Sequence, residues 1–546
     1  MSFRHHGPPQ PLLFGYDPVR DLPPDHLARF VEQVVEATVH PPQREKQAGQ
    51  PPFDPRLCLK VLIYGYATGV RSSRQLARHC QESLPYLFLT RGDTPSYQTL
   101  GVARTTQGEA LTAVWEGLFA IAAAAGIERV GRIVVDSTKL RANASSEAVL
   151  KRAEFAPVRA ELARILAEAA QADAQEDETP PGSTTLSRSF PPQEEMREIL
   201  RRVRARLRSE RRPAPTAPPA GAAAPATGAS TQGALPGLAV PAPSGAPPEP
   251  AEPAEPERPM TSQMLGRVRA GLAALQAAAA SERQYLCLTD PEAEMMHGGR
   301  ERQIRECHSF EVAVDQGLLV AANVTQESAD NARLAALVAL AARHEPLGVG
   351  AVTGDCGYYA GDAVGQLLEQ KVDLCIPDSN TACDLHRGLP VGTTRSKSTG
   401  SVEFRYEAAT DSYHCPEGNV LVQIQVRQQA GQRVKVYRAQ RDCRECPRAA
   451  ECLRPGNGGE HSHHRTLKVG YYQAELAAAQ ARFGERDHQE RYHHRGEAVE
   501  TIFGFLRSTL GFGRWLLRGA QQVAREGQLF ALAYQVRKVR KAWAGG

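Results

Sequence analysis

The chain has 546 residues, enough for three to four domains at about 150 residues each; 65 Lys plus Arg stand against 61 Asp plus Glu, a net charge of +4. With 42% hydrophobic and 23% charged residues, its composition is that of a globular protein. No apolar run reaches the ~18–20 residues of a membrane span and the first ten residues lack a secretion-signal core, so neither membrane insertion nor secretion is expected. Eleven cysteines, an odd number scattered along the chain, argue for reduced thiols in a cytoplasm and against a disulfide framework. The near-neutral total hides an asymmetry: residues 486–541 hold 11 Lys/Arg against 5 Asp/Glu. A polyanionic partner would therefore meet the C-terminal segment.

In chain order, helical periodicity comes first. Residues 26–39 are amphipathic, residues 55–66 are apolar-rich, and Ser72 and Ser73 stand where a cap would open a helix over 74–80. Residues 1–125 are expected to form a helical domain that contacts a DNA end. Arg71, Arg74, Arg78, Arg91 and Arg104 fit either a helix-turn-helix-like reader or a small bundle with a solvated arginine face.

From residue 126 the pattern turns α/β. Residues 132–136 read as a buried strand ending on Asp136. A basic helix follows, in which Met196, Ile199, Leu200, Val203 and Leu207 recur at three-to-four spacing among arginines, and this part is bounded at 212. Residues 213–259 include 14 Pro and 14 Ala in 47 positions, a composition that cannot bury enough apolar surface to offset its ordering entropy; a disordered tether is expected. Residues 260–380 resume the core. Two antiparallel strands (310–314 and 318–324) flank an Asp315-Gln316-Gly317 turn, followed by a helix, a strand ending on Asp355, a second helix and the strand 374–376. Residues 381–480 are expected to be an insertion, and 481–546 C-terminal helices around a Gly511-Phe512-Gly513 break. The layout is α/β with a mixed sheet.

The chemistry rests on carboxylates. Asp136 and Asp355 each close a strand. On neighbouring strands they would meet at the carboxyl edge, where open α/β sheets bind ligands. Paired carboxylates suit Mg²⁺, and two such ions about 3.5–4 Å apart can serve both oxygens of a phosphoryl transfer. The third carboxylate is Glu500, on an amphipathic helix with Arg507 on a common side. Glu497 is the rival.

These segments resemble a known family. IVVDSTKLRANAS (133–145), TGDCGYYAGDAV (353–364) and the segment 492–519, with Tyr492, Arg495, Glu500 and Arg507 in order, resemble the three acidic motifs of bacterial insertion-sequence transposases of the DDE class. Residues 52–80 resemble the N-terminal domain of the branch with four residues between its Arg and Glu. The closing basic residue, often Lys there, is Arg507 here. The resemblance implies an RNase H-like core and two Mg²⁺ (or Mn²⁺) ions on Asp136, Asp355 and Glu500. It also implies double-stranded DNA as partner, homodimer assembly on that DNA, and a cytoplasmic, nucleoid-associated location. Tyr492 and Arg495 would contact the transposon end, with Arg495 and Arg507 neutralising phosphate charge there. By their own position just after Asp136, Lys139 and Arg141 would either meet phosphate or stand as exposed charges on the next turn.

Cys415 before a Pro-x-Gly turn, the Cys443-x-x-Cys446 knuckle and Cys452 make four thiolates, enough for a structural Zn²⁺ in a zinc-ribbon-like segment. Reduced, buried thiols are the plainer alternative. Two rival functions stand beside the transposase: a catalytically inactive DNA-binding relic, and a zinc-ribbon regulatory protein with the α/β core as scaffold.

Overall fold

The computed structural model describes residues 17–41, 52–177, 192–210, 262–298, 303–328, 333–359, 361–393, 403–429, 432–453 and 463–545. The Pro/Ala segment 213–259 lies outside them. The chain divides into two compact units, residues 1–146 with 292–546, and residues 147–291.

The first unit opens with seven helices: α1 (Pro18–Asp21), α2 (Leu27–Thr38), α3 (Pro55–Ala67), α4 (Ser73–Glu82), α5 (Leu84–Thr90), α6 (Tyr97–Thr106) and α7 (Gly108–Ala124). Local chemistry sets their starts. Asp54 caps α3 through Arg56 N–H with Pro55 in its first turn, and Ser96 caps α6 through Thr99 N–H. Leu59, Leu62 and Ile63 of α3 are fully buried, each stabilising the fold by about 1.5–3 kcal/mol. Arginines among these helices are largely engaged. Arg104 is buried and donates to the Arg71 carbonyl, Arg71 lies 3.7 Å from Glu526, and Arg91 lies 3.7 Å from Glu32. They form a bundle whose core is continuous with one face of the sheet that follows.

Strand β1 (Arg132–Arg141) leaves this bundle. The second unit comes next: β2 (Val149–Lys151), the helices α8 (Arg152–Asp177), α9 (Pro192–Glu210) and α10 (Ser262–Ala279), then β3 (Tyr285–Cys287). β2 and β3 pair antiparallel, Leu150 opposite Leu286, and Phe155, Val158, Leu162, Leu200, Val203, Val268 and Leu275 are buried.

Back in the first unit come β4 (Glu294–Gly298), β5 (Gln303–Asp315), β6 (Leu318–Thr325), α11 (Leu334–Ala342), β7 (Ala351–Thr353), α12 (Gly361–Glu369), β8 (Asp373–Cys375) and α13 (Ser379–Arg387). The sheet runs β4-β5-β1-β7-β8, with β6 also on the outer edge of β5. β5 is antiparallel to β1, β4 and β6; β7 is parallel to both β1 and β8. This is a mixed α/β sheet. One face packs on the helical bundle and the C-terminal helices; the other packs on α11 and α12 through Ile133, Val135, Val338 and Val352.

The strand 132–136 expected from sequence is longer here. β1 continues five residues past Asp136, because it pairs with β5 from Val134 opposite Val314 to Arg141 opposite Cys307. A polar stretch that reads as a turn is held extended by that ladder.

A second sheet follows: β9 (Arg405–Glu407), β10 (Ser412–His414), β11 (Val420–Gln429), β12 (Gln432–Ala439) and, after α14 (Ala449–Cys452), β13 (Thr466–Gly470). Its order is β13-β12-β11-β10-β9, all antiparallel. The chain ends in α15 (Gln473–Ala481), α16 (Arg486–Ser508) and α17 (Ala520–Gly545). Among the described residues no helix is long and apolar enough to cross a membrane.

Candidate active site

The chain leaves β1 for β5 and β6 on one side and returns to β7 and β8 on the other. Such a reversal leaves a crevice at the strands' carboxyl ends, where ligands bind in open α/β sheets. β1 and β7 are in register at Val134 and Thr353, and each carries its aspartate two residues later, Asp136 and Asp355. The strands come close here because residue 354 is glycine: a Cβ there would sit 3.0 Å from Val135 Cγ2.

Asp136 accepts from Ser137 N–H at 2.8 Å through Oδ1, while Arg495 Nη1 lies 3.5 Å from its Oδ2. Asp355 caps the short turn Cys356–Tyr358, accepting from Gly357 N–H at 3.0 Å. The neighbouring Cys356 thiol is pushed up by burial and by the Asp355 charge, which makes it a poor nucleophile.

α16 supplies the rest. His488, Val499, Ile502, Phe503 and Leu506 form its buried stripe. Beside that stripe Arg495 reaches Asp136, and Arg507 donates to the Thr138 hydroxyl one strand pleat further along β1. Glu500 is seven residues before Arg507, so at about 100° per residue the two diverge by only ~20°. Glu500 is exposed and makes no hydrogen bond or ion pair among the described residues. Glu497 lies roughly 60° farther from the buried stripe, is 80% exposed and pairs with His494 at 3.1 Å. Tyr492 is half-buried, its ring 5.6 Å from the Arg495 guanidinium carbon and edge-on to Phe483. Burial pushes its phenol above the ordinary value, with Arg495 opposing.

Lys139 and Arg141 fall differently. Strand alternation turns them to the side of β1 opposite Asp136 and Thr138. The carbonyl of Arg141 accepts from Trp515 N–H at 2.9 Å. Trp515 is fully buried against Phe310 and Phe512, an anchor of the core.

One residue escaped the sequence reading. Glu526 of α17 is fully buried, and its Oε2 accepts from both Leu516 and Leu517 N–H at 2.9 Å. Burial pushes its carboxyl up, while those two donors and Arg71 oppose. The segment it holds also carries Arg514, whose carbonyl accepts from Arg71 at 3.0 Å, and Arg518, which donates to the Asn143 carbonyl at 2.7 Å. Glu526 thus ties the α16–α17 connection to the far end of β1. Its sequence signal is position: it sits in the apolar stripe Val523, Phe530, Ala533.

Cys415, Cys443, Cys446 and Cys452 line one cavity of about 260 Å³ beside the second sheet. Asn419 donates from its backbone to Cys415 Sγ at 3.2 Å and from its side chain to Cys443 Sγ at 3.7 Å; Arg465 N–H lies 3.4 Å from Cys443 Sγ. Among the described residues, no three His, Cys, Asp or Glu are gathered tightly enough to enclose a metal ion, here or at the carboxylates.

Two family models match the chain. A transposase DDE domain matches residues 414–540, which hold Glu500, Arg495, Arg507 and the four cysteines; a transposase domain (DUF772) matches residues 17–106, the N-terminal helices. Asp136 and Asp355 lie outside both stretches. No curated protein matches the chain. With a transposase domain matched towards each end, the chain is similar to DDE transposases of insertion sequences.

Proposed function

We propose that the protein binds the terminal repeats of its own element, cleaves strands there and joins the freed 3′-hydroxyls to target DNA, with Asp136, Asp355 and Glu500 as the catalytic carboxylates of an RNase H-like core. The observation that carries this reading is the shared register: both aspartates stand two residues beyond one β1–β7 pair, at the reversal point of the sheet, under the helix that bears Glu500. The donor set suits Mg²⁺ or Mn²⁺, being all carboxylate oxygen. Arg495 Nε is buried without a hydrogen-bond partner among the described residues, a donor left over beside the carboxylates.

When bound, divalent ions at these carboxylates supply the Lewis acidity that activates an attacking hydroxyl and stabilises the departing oxygen. The chain's own groups do the positioning. Arg495, packed near Tyr492, orients Asp136 and places positive charge beside it; Arg507, held by Thr138, offers a second cation. In cleavage, water oxygen bonds to phosphorus as the 3′-oxygen leaves. In joining, that 3′-hydroxyl attacks a target phosphodiester and displaces its 3′-oxygen. One phosphodiester is broken and one formed per joining event, so joining needs no external energy source. Duplex DNA is the partner, engaged by a homodimer in the cytoplasm, on the nucleoid.

The rival carboxylates are separated by substitution. Glu500→Ala should cut strand cleavage by more than about 100-fold, the upper range for losing even an outer-shell partner of a metal, whereas Glu497→Ala should stay within a few-fold. The reverse order, read on a labelled terminal-repeat duplex, transfers the role to Glu497.

We also propose that the four cysteines hold one structural Zn²⁺ in a zinc-ribbon-like sheet. The support is their convergence on one cavity and the N–H groups already aimed at Cys415 and Cys443, the kind of outer contact that orients thiolate ligands. Purified protein should contain about one zinc per chain, and Cys446→Ser should lower it. Full zinc content in both Cys415→Ser and Cys443→Ser would show that other groups bind it.

A further inference from the structure

We infer that the second unit carries a phosphate-binding cleft on α9, flanked by Arg201 and Arg208, that grips the backbone of duplex DNA; the identity of this polyanion rests on the transposase reading above. Residues 201–212 contain seven Arg and one Glu, a density unmatched by the unit as a whole, where 17 Lys/Arg meet 18 Asp/Glu. The charge is therefore concentrated, not spread.

Helix geometry sorts these arginines by task. Ile199, Leu200 and Val203 turn into the unit's core. Arg204 is used up by the fold: it pairs with Glu154 at 2.9 Å and donates to the Glu147 and Val149 carbonyls at 2.7 and 2.6 Å. Arg201 and Arg208 stand three before it and four after, on the same side of the helix, with Ala205 between them. Together with Glu147 and Leu200, these residues line a cleft of about 260 Å³. Glu147 is the acidic member, and it has an interaction partner of its own.

Neither flanking cation is committed elsewhere. Arg201 is 74% exposed and pairs with Glu198 at 2.7 Å, a surface contact worth about 0–1 kcal/mol that a phosphate can displace. Arg208 is exposed and has no ion pair among the described residues. Their Cα atoms are about 10 Å apart along the axis, from 1.5 Å per residue, within the ~6–12 Å span of DNA grooves. Such a pair can hold phosphates on the two sides of one groove, while the fixed Arg204 and the small Ala205 leave room between. The placement in the chain favours this use. β1 and β5 are adjacent antiparallel strands, yet they are joined through the whole second unit, which departs just after the strand that carries Asp136.

The test is the salt dependence of binding to a short, mixed-sequence, fluorescently labelled duplex, measured by anisotropy on the full chain. Removing one cation that neutralises a phosphate should reduce the slope of log affinity against log salt by about 0.9. Arg201→Ala with Arg208→Ala should therefore lower it by about 1.8, and Arg201→Lys with Arg208→Lys should retain most of it. Arg164→Ala, in the same unit but paired with Glu161 and Glu168, should change nothing. A full slope in the double alanine variant overturns the cleft while leaving the transposase reading intact. Absence of salt-dependent duplex binding by the unaltered chain overturns both.

Discussion

Asp136→Asn is expected to reduce strand cleavage by more than about 100-fold, because the loss of a metal's outer-shell partner already costs 10–100-fold and a ligand should cost more. Binding to the same duplex should remain nearly intact. The substitution keeps the shape of the side chain, and its Oδ1 still accepts from Ser137 N–H. β1 is held by eight paired residues on β5, so the strand itself should not move. What disappears is the negative charge facing Arg495 and with it the hard oxygen donor. Cleavage is read as product on a labelled duplex and binding as anisotropy, on one protein preparation. Cleavage within ten-fold of the unaltered protein would remove Asp136 from the catalytic set. Asp355→Asn should behave alike.

Glu526→Ala is the second large effect, and it falls on stability. The carboxylate is buried between α17 and the connection before it, accepts from two backbone N–H groups, and lies 3.7 Å from Arg71. Its removal strands two donors and leaves Arg71 without its countercharge. Breaking a buried pair this way costs about 3–5 kcal/mol. The first unit's urea midpoint should fall accordingly, while Glu526→Gln, which keeps an acceptor, should be milder. An unchanged midpoint in Glu526→Ala would mean that solvent or a neighbouring group takes over all three interactions.

Much of this was legible in the residues. Helical periodicity placed α2, α3 and α4 to within a few residues, and the hairpin around Asp315-Gln316-Gly317 is the β5–β6 turn, with Gln316 and Gly317 at positive φ. The misses have physical causes. β1 past Asp136 is mostly polar, Ser137, Thr138, Lys139 and Arg141 around a single Leu140, which reads as a turn until the β5 partner is known. β4, β9, β10 and β13 are only three to five residues long, too short for a periodicity to show, and their extended form depends on their ladder partners. For the candidate site, spacing alone could name Asp136, Asp355 and Glu500 but not the orientation of Lys139 and Arg141, which turns on strand parity. Glu526 was hidden because a charge on a long helix reads as solvated; only its place among Val523, Phe530 and Ala533 marks it as buried.

Direct phosphoryl transfer on DNA by a carboxylate-held divalent ion is met most squarely by one incubation. The full chain is mixed with a duplex carrying its element's terminal repeat, with Mg²⁺ or with a chelator, and the ends are resolved under denaturing conditions. The expected result is Mg²⁺-dependent cleavage leaving a free 3′-hydroxyl that joins to added target DNA without a covalent protein–DNA species. Cleavage that persists in chelator, or DNA that stays bound to the protein through a denaturant-resistant link, would contradict it.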